Sequence, residues 1–414
     1  MGKTVVSIQG EDFLLNGVKT YAELPFSNAA SHGLLMNARF IQGIFDDAQE
    51  PSRFNRFGRI FDAEQNTSNL IHHLPQWYEY GLRAITVGLQ GGGPCFTTEN
   101  QTIHNNPFSP DGKTLDAKYL HRLDRLIRAA DELGMVIIVS YFYPGQFSRL
   151  EDGRAIANAV RTASEFLRDK GYTNVIIEVS NEMDVNASVH PIISQPESMA
   201  VLIEIAKQSS GGLLVGCSGG GGSSFPEVSR ASDVIFIHGN GCSRQVYYKL
   251  IERVRQQSPG KPVVCNEDSQ AIGQLKVAFD THSSWGYYNN MTKQEPPTDW
   301  SITTGEDLFF AYRMAMGIGI PVPEIPFEDQ FYFQGLEPDM TVNHKRWLRV
   351  ASLYPERIDY VKFYKNGLLY DISYDEPFNV HFMGNWIQGP VDATDGKDTW
   401  RADIYLRDGR VIVK

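Results

Sequence analysis

The sequence predicts an α/β fold, a (β/α)8 barrel with an N-terminal β-hairpin and a small C-terminal β-rich domain. The chain has 414 residues, which is enough for one large barrel and an appendage. Between residues 38 and 319, short β-rich apolar runs alternate with amphipathic helical stretches, as in a parallel sheet with crossover helices. Eight such runs over this length match the usual size of the barrel. A doubly wound open sheet is the alternative fold.

The hairpin is predicted from the first residues of the chain. Val5–Leu24 contains two extended runs on either side of Asn16-Gly17. Asn-Gly between extended runs is the strongest short-range hairpin signal, because both residues tolerate the left-handed conformation that a tight turn requires.

Periodicity and turn residues set the elements of the barrel. The predicted strands are Ala38–Phe45, Ala84–Gln90, Met135–Phe142, Val175–Val179, Leu213–Cys217, Val234–His238, Pro262–Asn266 and Ser284–Tyr288. The predicted helices are Leu115–Leu133, Ala155–Lys170, Glu197–Gln208, Arg244–Gln257 and Glu306–Met316.

The chain changes character after Ile320. Three prolines form a linker, and short alternating runs follow, with two further hairpins predicted around Asn366-Gly367 and Asp408-Gly409. We therefore expect a catalytic barrel over residues 1–320 and a β-rich accessory domain over residues 321–414. The smaller domain either braces the barrel or binds ligand.

Composition excludes several classes of partner. The 38 Lys and Arg against 49 Asp and Glu give a net charge of −11, so we expect no nucleic-acid partner. No apolar run is long enough to span a bilayer, so we expect no membrane association. The N-terminus lacks a secretory h-region, which predicts a cytoplasmic protein, or a secreted or periplasmic one from which a signal peptide was removed. The oligomeric state is left open.

Two glutamates follow predicted strands on opposite sides of the barrel. The fourth strand leads into Asn181-Glu182, and the seventh leads into Asn266-Glu267. Because active sites of such barrels lie at the carboxyl ends of the strands, both carboxyl groups are expected to face one pocket. Carboxylates at strand ends are also common as surface or ion-paired groups, and that is the alternative for each.

Such a pair of carboxyl groups can divide the work of glycoside cleavage. A protonated one donates to the leaving oxygen, and an ionised one attacks the anomeric carbon. We therefore predict that Glu182 and Glu267 are catalytic. The substrate would be a carbohydrate.

Other polar and aromatic residues near predicted strand ends are candidates for binding sugar. Trp285 on the eighth strand is the expected stacking platform, with core packing as its alternative. Tyr143 closes the third strand, and Asn240 lies just beyond the sixth. Asp46 follows the first strand and Gln90 ends the second, and both could hold hydroxyl groups. Arg39 is expected at the far end of the first strand in a structural ion pair.

No metal and no cofactor is predicted. Cys95, Cys217, Cys242 and Cys265 lie far apart, and the histidines lack the spacing of a zinc site. The glycine runs at residues 91–93 and 219–222 match no phosphate-loop pattern.

Three segments carry a resemblance to a known family. The run Phe13-Leu14-Leu15-Asn16-Gly17-Val18, the run Ile177-Glu178-Val179-Ser180-Asn181-Glu182 and the run Pro262-Val263-Val264-Cys265-Asn266-Glu267 resemble the N-terminal hairpin, acid/base motif and nucleophile strand of glycoside hydrolase clan A. The clan comprises retaining enzymes that include the family 5 cellulases and mannanases. The resemblance extends over residues 1 to about 320.

The resemblance implies roles for individual residues. Glu182 would be the general acid/base, Glu267 the nucleophile, and Asn181 a ligand of the sugar 2-hydroxyl group. His238, at the end of the sixth strand, would hydrogen-bond the nucleophile. Asp268 follows the nucleophile, where the family usually has a small residue or glycine, so a divergent member is expected.

The predicted activity is therefore that of a retaining glycoside hydrolase acting on β-linked oligo- or polysaccharide. Two alternatives stay open. One is a carbohydrate-binding barrel without catalysis, and the other is a metal-dependent barrel hydrolase.

Overall fold

The computed structural model describes residues 2–91, 97–185, 189–337, 340–382, 389–393 and 397–414. The predictions for Cys95 and for Gly92 and Gly93 lie outside these ranges. Among the described residues, no helix is long and apolar enough to cross a membrane.

Helices and strands alternate through the first three quarters of the chain. The α-helices are α1 (Ala63–Glu79), α2 (Ala117–Leu133), α3 (Gly153–Asp169), α4 (Pro191–Ser194), α5 (Pro196–Ser210), α6 (Pro226–Ala231), α7 (Arg244–Gln257), α8 (Gly273–Asp280) and α9 (Glu306–Ile318). The strands of this part are β1 (Val6–Gln9), β2 (Asp12–Leu15), β3 (Val18–Lys19), β4 (Asn37–Arg39), β5 (Ala84–Gly88), β6 (Val136–Phe142), β7 (Val175–Ser180), β8 (Leu214–Gly216), β9 (Ile235–His238), β10 (Val263–Glu267) and β11 (Gly286–Tyr287).

The strands from β4 to β11 form a parallel framework. Six of them make one sheet in the order β11-β4-β5-β6-β7-β8, and β9 pairs with β10. Main-chain bonds join these two sheets at both edges, from Cys265 N to Ser284 O at 2.9 Å and from Asp233 N to Val215 O at 2.8 Å. The strands are parallel, so their carboxyl ends lie at one end of the framework.

Each of these eight strands overlaps a predicted one, and the first differs most. The prediction ran from Ala38 to Phe45, whereas β4 ends at Arg39. The apolar residues that follow form a turn packed in the core, where Phe40 contacts Trp77 of α1 and Trp300. Helix α1 was missed as an element because Pro75 interrupts its pattern.

The N-terminal segment covers the amino end of the framework. Strands β2 and β3 form the predicted hairpin around Asn16-Gly17, and β1 adds a third strand. Phe13 of β2 packs in a cluster with residues at the beginnings of the parallel strands, such as Ala84 and Val136. The opposite end is therefore the one open to a site.

The C-terminal part is built from antiparallel strands. They are β12 (Phe331–Gln334), β13 (Lys345–Arg346), β14 (Arg349–Ser352), β15 (Ile358–Lys365), β16 (Leu368–Ser373), β17 (Val391–Asp392), β18 (Trp400–Leu406) and β19 (Val411–Val413). Hairpins β15-β16 and β18-β19 lie where the two Xaa-Gly turns predicted them. These strands share a separate apolar cluster that includes Val361 and Phe363.

Candidate active site

Two glutamates meet at the carboxyl end of the parallel strands. Glu182 lies two residues beyond the end of β7, and Glu267 is the last residue of β10. One carboxylate oxygen of each lies within 4.8 Å of the other, although the residues are far apart in sequence. The predicted meeting of the two side chains is thus present in the structure.

Glu267 is held in a buried, charged environment. Its Oε2 lies 2.6 Å from Nε of Arg39, and its Oε1 accepts a hydrogen bond of 2.7 Å from Nδ2 of Asn240. Burial raises the pKa of Glu267, whereas Arg39 and His238 oppose this rise. Because the Arg39 guanidinium is itself fully buried and needs an anionic partner, the ion pair favours the ionised form of Glu267.

Glu182 is more open to solvent and its backbone is unusual. Its side chain is 18% exposed, against 8% for that of Glu267. Its φ angle of 45° lies in the left-handed region, which is unfavourable for a residue with a Cβ. Its backbone N–H donates to Oγ of Ser218 at 3.1 Å, which helps to hold this conformation. Strain of this kind is concentrated at functional sites.

His238 at the end of β9 joins the pair. Its Nδ1 lies 2.9 Å from Oε1 of Glu182 and 3.9 Å from Oε2 of Glu267. The resemblance had assigned its hydrogen bond to Glu267, and the structure gives it to Glu182 instead. Burial of the ring would lower the pKa of His238, but the two carboxylates outweigh burial and raise it.

A second buried carboxyl group, from Glu178, lies beneath His238. From its sequence position we expected a structural role for Glu178, with its side chain in the barrel wall or the helix layer. Its Oε1 accepts from Oγ of Ser218 at 2.7 Å and from Nδ2 of Asn266 at 2.9 Å, and lies 3.9 Å from Nε2 of His238. Glu178 therefore supports residues from neighbouring strands beneath the paired glutamates.

Two buried amide groups near Glu267 keep unused hydrogen-bonding atoms. Asn181 accepts from a terminal nitrogen of Arg39 at 2.7 Å, and its Nδ2 has no hydrogen-bond partner in the described part of the chain. Oδ1 of Asn240 likewise has no partner among the described residues. Buried polar atoms are normally satisfied, so both are suited to the hydroxyl groups of a bound ligand.

The prediction for Trp285 needs correction. Its ring is fully buried and packs against Phe310 of α9, with 5.6 Å between ring centroids. Its indole N–H donates to Oδ2 of Asp268 at 2.7 Å. Trp285 is thus enclosed between Asp268 and the helix layer, and a sugar ring has no access to it.

Asp46 also differs from its prediction. Its carboxylate lies 3.6 Å from a terminal nitrogen of Arg122 in α2, because the chain has already left the sheet after Arg39. Asp46 therefore joins a loop to a helix and does not reach the paired glutamates.

Gln90 contacts the backbone of Tyr143 and has no free group for a ligand. The Gln90 side chain is fully buried and its amide donates to Asn106 at 2.8 Å, so it offers no free group to a ligand. Its Oε1 accepts from the backbone N–H of Tyr143 at 3.1 Å. Tyr143 is half-buried and close enough to Arg39 for an electrostatic interaction, which keeps it in the candidate site.

Sequence reasoning missed the role of Arg39. The predicted strand placed Arg39 at its beginning, whereas Arg39 ends β4, between Glu267 and Asn181. Its guanidinium also lies 5.7 Å from the ring centroid of Tyr288. One signal was present in the sequence, because an arginine amid apolar residues needs a buried acidic partner.

The same atoms could be offered to a metal ion. Glu182, His238 and Glu267 each present one ligand atom, all within 4.8 Å of one another. However, the Arg39 guanidinium lies 2.6 Å from Oε2 of Glu267. A divalent ion there would face a fixed positive charge, so these residues fit a metal poorly.

Fold and site together define an α/β protein with a paired-glutamate centre at the ends of parallel strands. Three solved structures show a limited similarity to this chain, each with a TM-score under 0.5. An endo-β-1,4-mannanase from Thermotoga petrophila is 14% identical over 95% of this chain and 98% of its own, with a TM-score of 0.47. An exo-β-1,4-mannosidase from Opitutaceae bacterium strain TAV5 is 16% identical over 64% of this chain and 53% of its own, with a TM-score of 0.44. A Bacteroides uniformis β-glucuronidase is 12% identical over 99% of this chain and 47% of its own, with a TM-score of 0.45.

The sequence comparisons give no match. No family model matches the chain, and no curated protein is similar to it. The function proposed below is therefore inferred from the side chains of this chain.

Proposed function

We propose that this protein is a retaining glycoside hydrolase that cleaves β-linked oligo- or polysaccharide, with Glu267 as nucleophile and Glu182 as general acid/base. One observation carries the proposal. Two carboxyl groups have oxygens within 4.8 Å, and one is ion-paired with a buried arginine while the other is open to solvent. This asymmetry matches the division of work that glycoside cleavage requires.

The reaction would proceed in two displacements. In the first, a Glu267 oxygen attacks the anomeric carbon, the bond to the leaving oxygen breaks, and Glu182 gives that oxygen its proton. In the second, Glu182 takes a proton from water, the water oxygen attacks the anomeric carbon, and Glu267 leaves as a carboxylate. Sugar, water and both carboxyl groups balance over the cycle.

The spacing of the pair supports retention of configuration. Retaining enzymes have carboxyl groups about 5–5.5 Å apart, and inverting enzymes leave about 6.5–9.5 Å for a water molecule. Here the two nearest carboxylate oxygens lie within 4.8 Å of each other, and we propose that the pair belongs to the retaining class.

Each neighbouring residue would have a defined part in the reaction. Arg39 and Asn240 hold Glu267 ionised and oriented. His238 shares its hydrogen bond with Glu182, so a proton can be kept close to the leaving group. Asn181 would bind a sugar hydroxyl through Nδ2.

The proposed fold of the parallel strands is a closed barrel. We propose that β4 to β11 form a (β/α)8 barrel, supported by the main-chain bonds at both sheet edges. The antiparallel strands beyond residue 320 would be an accessory domain. No role beyond bracing is proposed for it.

The test uses aryl β-glycosides of several sugars with the wild type, Glu182→Gln and Glu267→Gln. Loss of an acid/base group costs about 10²–10⁴-fold in rate, and loss of the nucleophile is expected to cost at least as much. Glu204→Gln on the exposed side of α5 is the matched control and should keep the wild-type rate. Near-normal rates for both site variants would refute the assignment.

Azide separates the two roles. In Glu182→Ala, azide should attack the covalent intermediate and give a β-glycosyl azide with retained configuration. In Glu267→Ala, azide should displace the leaving group directly and give the α-glycosyl azide. If each variant gave the opposite anomer, Glu182 would be the nucleophile and Glu267 the acid/base.

The arrangement of three ligand atoms favours one other function, a metal-dependent hydrolase. Activity that is lost with a chelator and restored by a divalent cation would support it. Because Arg39 already neutralises Glu267, we expect the rate to be unchanged by chelator.

A further inference from the structure

Asp268 follows Glu267 directly and is more deeply buried than either of the paired glutamates. Its Oδ1 accepts from the backbone N–H of Ser269 at 2.7 Å, and its Oδ2 accepts from Nε1 of Trp285 at 2.7 Å. A carboxyl group in this position has no part in the two displacements described above, so its burial needs another explanation.

The other side of this carboxyl group lies against Gly239. A Cβ atom at Gly239 would overlap all three atoms of the Asp268 carboxyl group, so only glycine permits this approach. The backbone N–H of Gly239 donates to the carbonyl oxygen of Glu267 at 3.0 Å. The end of β9 and the end of β10 are therefore in direct contact at this point.

The neighbours of Gly239 are the residues that contact the paired glutamates. His238 on one side lies 2.9 Å from Glu182, and Asn240 on the other donates to Glu267 at 2.7 Å. A shift of the backbone at Gly239 would move both side chains at once. Asp268 is the group that limits such a shift on one side.

Trp285 fixes Asp268 in turn. The indole ring packs in the core against Phe310, and the backbone carbonyl oxygen of Trp285 accepts from the backbone N–H of Asn37 at 3.0 Å. Asp268 thus connects a rigid part of the helix layer to the segment 238–240.

We propose, on the basis of the function proposed above, that Asp268 is a positioning residue for catalysis. Its carboxyl group, held by the indole of Trp285, fixes the chain at Gly239 and so sets His238 and Asn240 against Glu182 and Glu267. It touches neither substrate nor the reacting atoms.

The electrostatics agree with this role. Burial raises the pKa of Asp268 to about 8, although the bonds from Trp285 and Ser269 oppose the rise. The carboxyl group is therefore mostly neutral at pH 7. It can pack beside Glu267 without adding a second negative charge there.

The experiment compares Asp268→Ala with Asp268→Asn. A third variant, Trp285→Phe, removes the indole N–H that donates to Asp268. Asp268→Asn keeps the shape of the side chain and an oxygen for the indole N–H, and it gives up only the acceptor for the backbone N–H of Ser269. Kinetics on an aryl β-glycoside are measured well below the unfolding temperature, on protein shown to be folded. We expect Asp268→Ala to lower kcat about 10- to 100-fold with KM little changed, because misplacement of catalytic groups has effects of this size. Asp268→Asn should restore most of kcat.

Hydrogen exchange supplies a readout that needs no activity. Exchange of the peptide covering residues 235–242 should accelerate in Asp268→Ala and Trp285→Phe but not in Asp268→Asn. Helix α2 serves as the internal reference and should not change.

The outcomes separate this inference from the proposed function. A lower unfolding temperature in Asp268→Ala with unchanged kcat, or equal impairment by Asp268→Asn, would overturn the positioning role. If the wild type cleaves no glycoside, the proposed function fails, and the exchange of residues 235–242 then decides the inference alone. Unaltered exchange in Asp268→Ala would overturn it.

Discussion

Removing Arg39 should make Glu267 an unpaired buried charge. In Arg39→Met the ion pair of 2.6 Å is lost, and so is the bond to Asn181. The Arg39 side chain has no solvent exposure and that of Glu267 has 8%, so water cannot readily replace the guanidinium.

The size of the loss in stability that we expect for Arg39→Met follows from this burial. Breaking a buried ion pair by removing one partner costs about 3–5 kcal/mol in the free energy of unfolding. Glu267 can escape part of this cost by taking up a proton, since its pKa in the variant would rise further. The loss should therefore be near its full size at pH 7.5 and smaller at pH 5, where the carboxyl group is more easily protonated.

A double-mutant cycle isolates the pair. The unfolding free energy is measured in urea for the wild type, Arg39→Met, Glu267→Gln and the double variant. We expect the double variant to be more stable than the sum of the single losses predicts, by about 2 kcal/mol or more, because it leaves no unpaired charge. Additivity within about 0.5 kcal/mol, or a loss below about 1 kcal/mol for Arg39→Met at pH 7.5, would refute the reasoning.

Two further predictions concern stability. The folded state holds a proton on Asp268 up to about pH 8, whereas the unfolded chain releases it near pH 4, so this group stabilises the protein at low pH and loses its contribution as pH rises between these values. Between pH 5 and pH 8, the free energy of unfolding of Asp268→Asn, measured with denaturant, should fall less than that of the wild type, by up to several kcal/mol. An equal fall in both proteins would contradict the raised pKa of Asp268. For Gly286→Ala, a new Cβ would lie 2.6 Å from the carbonyl oxygen of Cys265, so thermal unfolding should show a loss of about 1–3 kcal/mol. Gly153→Ala, whose Cβ meets only ordinary contacts, is the control, and equal unfolding temperatures for both would count against the packing argument.

The sequence was sufficient to find the framework of the site. The positions of the eight parallel strands follow from short buried runs, and the pairing of Glu182 with Glu267 follows from strand order and the common direction of the strands. These inferences needed only the sequence of elements and the polarity of the sheet.

The errors arose where the chain leaves a very short strand. Strand β4 has three residues and β11 has two. Such strands are too short for alternation to fix which side chains point inward. Arg39 was therefore placed at the wrong end of its strand, and Trp285 was assigned to the ligand instead of to the helix layer.

The partner of His238 depended on distances that no pattern contains. Its Nδ1 is only about 1 Å closer to Glu182 than to Glu267, at 2.9 Å against 3.9 Å. A shift of about 1 Å in the position of the ring would make the two distances equal, and the order of residues along the chain does not specify a difference of this size.

The left-handed backbone of Glu182 lowers the stability of the fold at a residue with a proposed catalytic role. An L-residue with a side chain costs about 1–2 kcal/mol in this conformation, a penalty that glycine escapes. Under the proposed function, the chain therefore gives up stability at its proton donor. A descendant that no longer turned over substrate could recover this stability by losing the glutamate.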